Sequence, residues 1–175
     1  MERTLQYKVA EHFVSINGEG RRAGQLALFV RFAGCNLACL YCDTKWANLK
    51  DTEYQIYTLA EITDMIRKSK VKNVTLTGGE PLIQDGIGEL LQELRMYDDI
   101  KVEVETNGSI DITSFFADST MDNVSFTVDY KTGCSGMESK MYIDNYKNVR
   151  ENDTVKFVVG GIEDMETARI IVDSY

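Results

Sequence analysis

Apolar residues along this chain fall alternately into short runs and helical stripes. Leu26-Ala27-Leu28-Phe29-Val30-Arg31-Phe32 is apolar, rich in β-formers and followed by Gly34, which predicts a strand. From Thr58 to about Lys68, Leu59, Ile62, Met65 and Ile66 share one helical face. Thr58 reads as the N-cap, and Glu61 completes a capping box. Val74-Thr75-Leu76-Thr77 predicts a second strand, turned by Gly78-Gly79, and Ile87, Leu90, Leu91 and Leu94 form the next helical face. Further strands are predicted at Lys101–Thr106, Asn123–Val128 and Val155–Val159, with helical candidates near 111–117, 139–148 and 163–173.

Repeated β–α units imply an α/β fold with a mostly parallel sheet and helices outside, open or partly closed into a barrel. Chemistry in such sheets collects at the C-terminal ends of the strands. The segments there are Gly34-Cys35, Gly78-Gly79-Glu80-Pro81, Asn107-Gly108-Ser109 and Asp129-Tyr130-Lys131, which strand order places on one rim. Of Glu103 and Glu105, only one is expected to point into the barrel, and Glu105, nearest the rim, is the candidate. No strand follows the last helical candidate, so the chain reads as short at its C-terminus.

Composition narrows the class. The 175 residues suit one domain, 1–175, and 43% hydrophobic with 27% charged residues is the ordinary mix of a soluble globular protein. The formal charge of −9 disfavours phosphate backbones and anionic membranes as partners. Met1–Lys8 carries no apolar leader region, and no apolar run approaches the ~18 residues of a membrane span. A cytoplasmic enzyme or binding domain is the expectation.

Three of the four cysteines lie within eight residues, as Cys35-x3-Cys39-x2-Cys42, while Cys134 stands alone. In a reducing compartment this is a ligand cluster plus a spare thiol rather than a disulfide framework. Clustered thiolates suit a single iron–sulfur cubane, and three of them leave one iron open to a substrate or cofactor. The competing reading is a structural zinc site with His12 as fourth ligand, although zinc sites usually pair their ligands as two separated knuckles.

The cysteine spacing, with Tyr41 just before the third cysteine, resembles the signature of radical S-adenosylmethionine (SAM) enzymes. Gly78-Gly79-Glu80-Pro81 is similar to that superfamily's GGE motif, and Asn107-Gly108 to its ribose-side motif. A narrower resemblance is carried by Phe13-Val14-Ser15-Ile16-Asn17-Gly18-Glu19-Gly20, by Phe29–Leu37, by Cys42-Asp43-Thr44, and by Asp129-Tyr130-Lys131 leading into Ser135-Gly136-Met137. These resemble the 7-carboxy-7-deazaguanine synthase family over essentially the whole chain. The resemblance implies a partial (β/α) barrel of the radical SAM type with about five to six parallel strands. It also implies a lyase that converts 6-carboxy-5,6,7,8-tetrahydropterin to 7-carboxy-7-deazaguanine, in queuosine and deazapurine biosynthesis. A 5′-deoxyadenosyl radical would abstract a substrate hydrogen, and the ring would contract with loss of ammonia.

The implied cofactors are a [4Fe-4S] cluster on Cys35, Cys39 and Cys42, S-adenosyl-L-methionine, and Mg²⁺ on Thr44. Tyr41, Cys42, Asp43, Gly79 and Lys131 would lie against SAM. Ile16, Asn17, Gly18, Glu19, Arg31 and Thr77 would contact the pterin. A homodimer and an electron donor such as flavodoxin or ferredoxin are further expectations. Chemically, Arg31 offers a planar fork for a carboxylate, and a lone threonine hydroxyl suits magnesium, which keeps most of its waters. Each assignment has a plainer reading. Arg31 could pair with a surface carboxylate, Thr44 could be an N-cap, and Asn17-Gly18 could be a hairpin turn.

Two departures stand out. Where that family usually reads Pro-Ser-Ser-Gly-Met, this chain has Thr132-Gly133-Cys134-Ser135-Gly136-Met137. The family also normally continues into a tail that helps close the substrate pocket. Two other functions stay open at this point: a glycyl-radical enzyme activase, and a non-catalytic metal-binding or electron-transfer module.

Overall fold

The computed structural model describes residues 4–117 and 122–175; residues 1–3, at the head of the segment read for a leader, lie outside them. Seven strands form one sheet: β1 (Gln6–Ile16), β2 (Leu26–Phe32), β3 (Gln55–Thr58), β4 (Asn73–Gly78), β5 (Lys101–Thr106), β6 (Val124–Tyr130) and β7 (Thr154–Phe157). Their order is β3-β1-β2-β4-β5-β6-β7. The run β2-β4-β5-β6-β7 is parallel, while β1 pairs antiparallel with both β2 and β3. The sheet is therefore an unclosed, mostly parallel one, with the five strands expected from the β–α pattern and two more at one edge.

Side-chain parity explains why this sequence makes a one-sided barrel wall. Successive residues of a strand point to opposite faces. Leu28, Val30 and Phe32, Val74 and Leu76, Val102 and Val104, and Val124, Phe126 and Val128 all join the apolar core. The helices α1 (Leu59–Ser69) and α2 (Ile87–Arg95) cover it with Ile62, Ile66, Leu90, Leu91 and Leu94. The alternate positions carry Arg31, Thr75, Thr77, Glu103, Glu105, Ser125, Thr127 and Asp129, with Ala27 and Phe29 the apolar members on β2, so the opposite face is mostly polar. At about 25 cal/mol per Å² the apolar side supplies the folding drive, leaving the other free for chemistry.

α1 begins as expected: Glu61 N donates to Thr58 Oγ1 and Thr58 N donates to Glu61 Oε2, a complete capping box. The stretch at 111–117 is only a 3₁₀ turn, Thr113–Phe115, because Asp111 Oδ1 accepts from both Thr113 N and Thr113 Oγ1 and holds a local turn. The stretch at 139–148 divides into the 3₁₀ turn Glu138–Lys140 and the short helix α3 (Asp144–Asn148). The last helix, α4, spans Ile162–Ser174. No helix among the described residues is long and apolar enough to cross a membrane.

Candidate active site

The C-terminal ends of the parallel strands open onto a cavity of about 820 Å³ whose wall includes Cys35, Cys39, Cys42, Thr44, Gly79, Asn107, Asp129 and Lys131. All four segments predicted to share a rim thus do so. The cysteine loop follows β2 directly and is tied down by its backbone. Gly34 N donates to Ala47 O at 2.9 Å, and Leu40 N donates to Ser135 O at 3.0 Å. The second bond gives the Thr132–Met137 segment a structural task despite its departure from the family pattern.

All three thiols are free. Burial pushes the Cys35 thiol up; N–H bonds to its sulfur from Leu37 and Asn107 pull it back. Burial also raises Cys39, opposed by Lys131. Thr44 occupies the N-cap position of the 3₁₀ turn Lys45–Asn48 but makes no capping bond. Its hydroxyl faces the cavity wall, 3.6 Å from Cys42 Sγ. Cys134 is not part of the wall; its thiol turns to Val158 O and Thr132 Oγ1.

The Gly78-Gly79 turn has a packing reason for its composition. A Cβ on Gly79 would stand 1.9 Å from Gly34 O, and one on Gly78 2.2 Å from Phe32 O. Only glycine lets the end of β4 lie flat against the end of β2. Glu80, fully buried, then accepts from Leu82 N, Thr106 Oγ1 and Asn107 N. Desolvation outweighs those three donors and raises its pKa to about 7. On the far side Lys131 pairs with Asp129 and lies over the Tyr41 ring, whose buried hydroxyl has no protein partner among the described residues.

The other end of the cavity is floored by the polar face of the sheet. Arg31 stands opposite Thr77 in register, and Thr77 Oγ1 donates to Glu105 Oε2 at 2.7 Å. Burial raises the Glu105 carboxyl despite that bond. Lys156 Nζ bridges Glu19 Oε1 (2.7 Å) and Asp129 Oδ1 (3.2 Å). Burial works against its charge, but Asp129 and Glu19 prevail and its pKa rises. Glu103 and Glu105 both face inward, because residues two apart on a strand share a face; the expectation that only one would do so is corrected here. Glu103 is nearly fully buried, accepts from Thr127 Oγ1, and lies 3.7 Å from Arg22 Nη1.

Not every expected substrate contact reaches this wall. Arg31, Glu19 and Thr77 do. Ile16, 62% exposed, and the buried Asn17 do not, and Gly18 borders open space. Asn17 Oδ1 instead accepts from Thr75 Oγ1 at 2.8 Å. Nor is Asn17-Gly18 a two-residue hairpin turn. Asn17 N bonds Gln25 O and Gly24 N bonds Asn17 O, which closes a longer loop. The plain reading of Arg31 is met in part, since its Nε donates to Glu11 Oε1.

Residues 29–162 match the radical SAM superfamily. Over 171 residues the chain is 51% identical to the 7-carboxy-7-deazaguanine synthase of Clostridium acetobutylicum, covering 98% of this chain and 76% of that one. The chain belongs to the 7-carboxy-7-deazaguanine synthase family. The family's member from Methanospirillum hungatei is 34% identical over 96% of this chain and 68% of its own. The crystal structure of QueE from Escherichia coli shares the fold, with a TM-score of 0.74 at 24% identity, covering 97% of this chain and 78% of that one.

The donor set fits what a 7-carboxy-7-deazaguanine synthase of the radical SAM type holds. Three free thiols on one loop, two of the sulfurs within reach of amide donors, suit a cluster with one iron left open. The orphaned Tyr41 hydroxyl and the flat Gly78-Gly79 edge suit SAM beside it. Polar cavity residues that had not been singled out include Asn48 and Lys156, and Asp129 had been named only as part of its rim segment. Strand alternation marks two of them, for Asp129 and Lys156 pair in register and share the parity of Thr127.

Proposed function

We infer that this chain is a radical SAM lyase that converts 6-carboxy-5,6,7,8-tetrahydropterin to 7-carboxy-7-deazaguanine with loss of ammonia. The observation that carries the reading is one cavity lined by three thiols towards one end and by the Arg31 guanidinium towards the other. Cys35, Cys39 and Cys42 line it beside Gly79, while Arg31, Thr77 and Glu105 line its floor. Bound there, the cluster and SAM supply one-electron cleavage of a sulfonium and, through it, hydrogen abstraction from substrate.

The chain's own residues do the rest. Cys35, Cys39 and Cys42 hold the cluster. Tyr41, Cys42, Asp43, Gly79 and Lys131 lie along SAM. Arg31 takes the substrate carboxylate, with Thr77 beside it and Glu19 at the loop edge. Ile16, Asn17 and Gly18, none of which lines the cavity, position the loop that carries Glu19 to the pterin. Thr44 would offer Mg²⁺ a protein oxygen. The cavity wall would shield the reacting centre from water. The reading further includes a single radical SAM domain over residues 1–175, a cytoplasmic homodimer, and a flavodoxin or ferredoxin as electron donor.

The test is Cys39→Ala under anaerobic reconstitution. The variant should lose both the brown chromophore and SAM cleavage. Cleavage at the wild-type rate would refute the cluster assignment, and zinc near one per chain in place of iron and sulfide near four would favour the structural module.

A further inference from the structure

The Asn107 carboxamide is committed on all sides. Its Oδ1 accepts from Ser109 N (3.0 Å) and Ser109 Oγ (2.6 Å). Its Nδ2 donates to Asn36 Oδ1 (2.9 Å) and to Cys35 Sγ (3.5 Å). The orientation is not an arbitrary amide flip. Ser109 N–H can only donate, so the oxygen must face it and the NH₂ must face the sulfur.

The residue is also held at its backbone. Asn107 N donates to Glu80 Oε2 at 2.6 Å, and the same carboxyl takes Thr106 Oγ1 and Leu82 N. Glu80 thus latches the end of β5 to the end of β4, and β4 in turn is pressed against the cysteine loop at Gly34. A side chain fixed at both ends beside a ligand sulfur costs little further entropy when it hydrogen-bonds that sulfur. With both Oδ1 and Nδ2 bonded within the protein, the carboxamide has no free group for a cofactor hydroxyl.

We propose that Asn107 is a positioning residue that sets the cluster's reduction potential, its carboxamide N–H stabilising the extra negative charge on Cys35 sulfur in the reduced state. The inference rests on the cluster assignment made above. Hydrogen bonds to ligand sulfurs are among the determinants of iron–sulfur potentials, because reduction adds charge that an N–H dipole stabilises. Leu37 N also bonds Cys35 Sγ (3.4 Å), but it is a backbone donor present whatever side chain stands at 107.

The experiment is an EPR-monitored redox titration of the reconstituted protein without SAM, comparing wild type with Asn107→Leu and Asn107→Asp. Leaving SAM out removes any contribution from cofactor contacts. Both variants should load wild-type iron and sulfide and show a more negative midpoint. The expected loss is about tenfold in the one-electron reduction equilibrium, which corresponds to 59 mV. Asn107→Asp should shift further, since it keeps the Ser109 contact but turns an oxygen to the sulfur.

Midpoints equal to wild type at equal iron content would overturn the inference while leaving the cluster assignment intact. A wild type that loads no iron would overturn the assignment itself and the inference with it. Should neither variant load iron, the Asn48→Ala protein decides, labelled with ¹⁵N at asparagine side chains. That background removes the other asparagine amide near a ligand sulfur, 3.9 Å from Cys42 Sγ. Nitrogen hyperfine coupling in its reduced spectrum supports the bond, and absence of coupling overturns it.

Discussion

Arg31 and Glu11 stand opposite each other on antiparallel strands, and Arg31 Nε donates to Glu11 Oε1 at 2.8 Å. The guanidinium is thereby turned and held by one of its edges while the residue lines the cavity. A preset planar fork favours bidentate binding of a carboxylate, which an ammonium cannot reproduce. Arg31→Lys should therefore raise the KM for the pterin by about 10–100-fold, the range of ~1.5–3 kcal/mol for a charged hydrogen bond. Glu11→Ala should raise KM by a smaller factor and leave stability within ~1 kcal/mol, since the Glu11 side chain is 40% exposed and its charge is screened. Steady-state kinetics and thermal melts check both.

Thr44 sits where a capping residue would, yet caps nothing. Thr44→Ala should accordingly leave the melting temperature close to wild type and weaken the response of turnover to magnesium. An unchanged magnesium titration would remove Thr44 as a ligand.

The loop after β1 is braced from below. Gly20 has φ +73°, and a Cβ there would stand 1.7 Å from Glu103 Oε1. Arg22 reaches Ser125 Oγ (3.0 Å) and Glu103 from the same loop. Gly20→Ala adds about 1–2 kcal/mol of left-handed strain and displaces a buried carboxylate from its partners. Melting should fall by several degrees, and the pterin KM should rise more than kcat falls, because Glu19 rides on this loop.

Glu80 gives stability a pH signature. Its folded pKa is about 7 against the ordinary 4.5 of an exposed glutamate, so between those pH values the folded chain keeps a proton that the unfolded chain has lost. Its contribution to unfolding free energy therefore falls as pH rises from about 4.5 to 7, by on the order of 3 kcal/mol, and is flat beyond. Denaturant melts across that range should show a shallower decline in Glu80→Gln. That variant should also be less stable at low pH, since whichever way its amide turns the NH₂ meets a backbone N–H, of Asn107 or of Leu82, donor to donor.

The β–α frame and the rim were legible because parallel strands flanked by helices leave long apolar runs, and Thr58–Glu61 and Gly78-Gly79 write their turns in residue type. β1 and β3 were not. Gln6–Ile16 is flanked by the edge strand β3 only over Gln6–Val9 and exposes most of its second half, so it has no sustained alternation to read. The cysteines and GGE segment announced themselves by spacing. On the floor, Arg31 and Thr77 were named through the resemblance and Glu105 by its place near the rim, but Glu103 was set aside although the alternation of Lys101–Thr106 already requires both glutamates to face one way. Lys156 was hidden for another reason: its partners, Glu19 and Asp129, lie far away in sequence and meet it only through the sheet order.

The most direct test is anaerobic reconstitution of the chain with iron and sulfide, then incubation with 6-carboxy-5,6,7,8-tetrahydropterin, SAM, magnesium and a strong reductant. Mass spectrometry should find 7-carboxy-7-deazaguanine together with 5′-deoxyadenosine. 5′-Deoxyadenosine alone would leave the radical machinery standing but contradict the substrate assignment. Neither product from a chain with its cluster demonstrably loaded would contradict the catalytic reading.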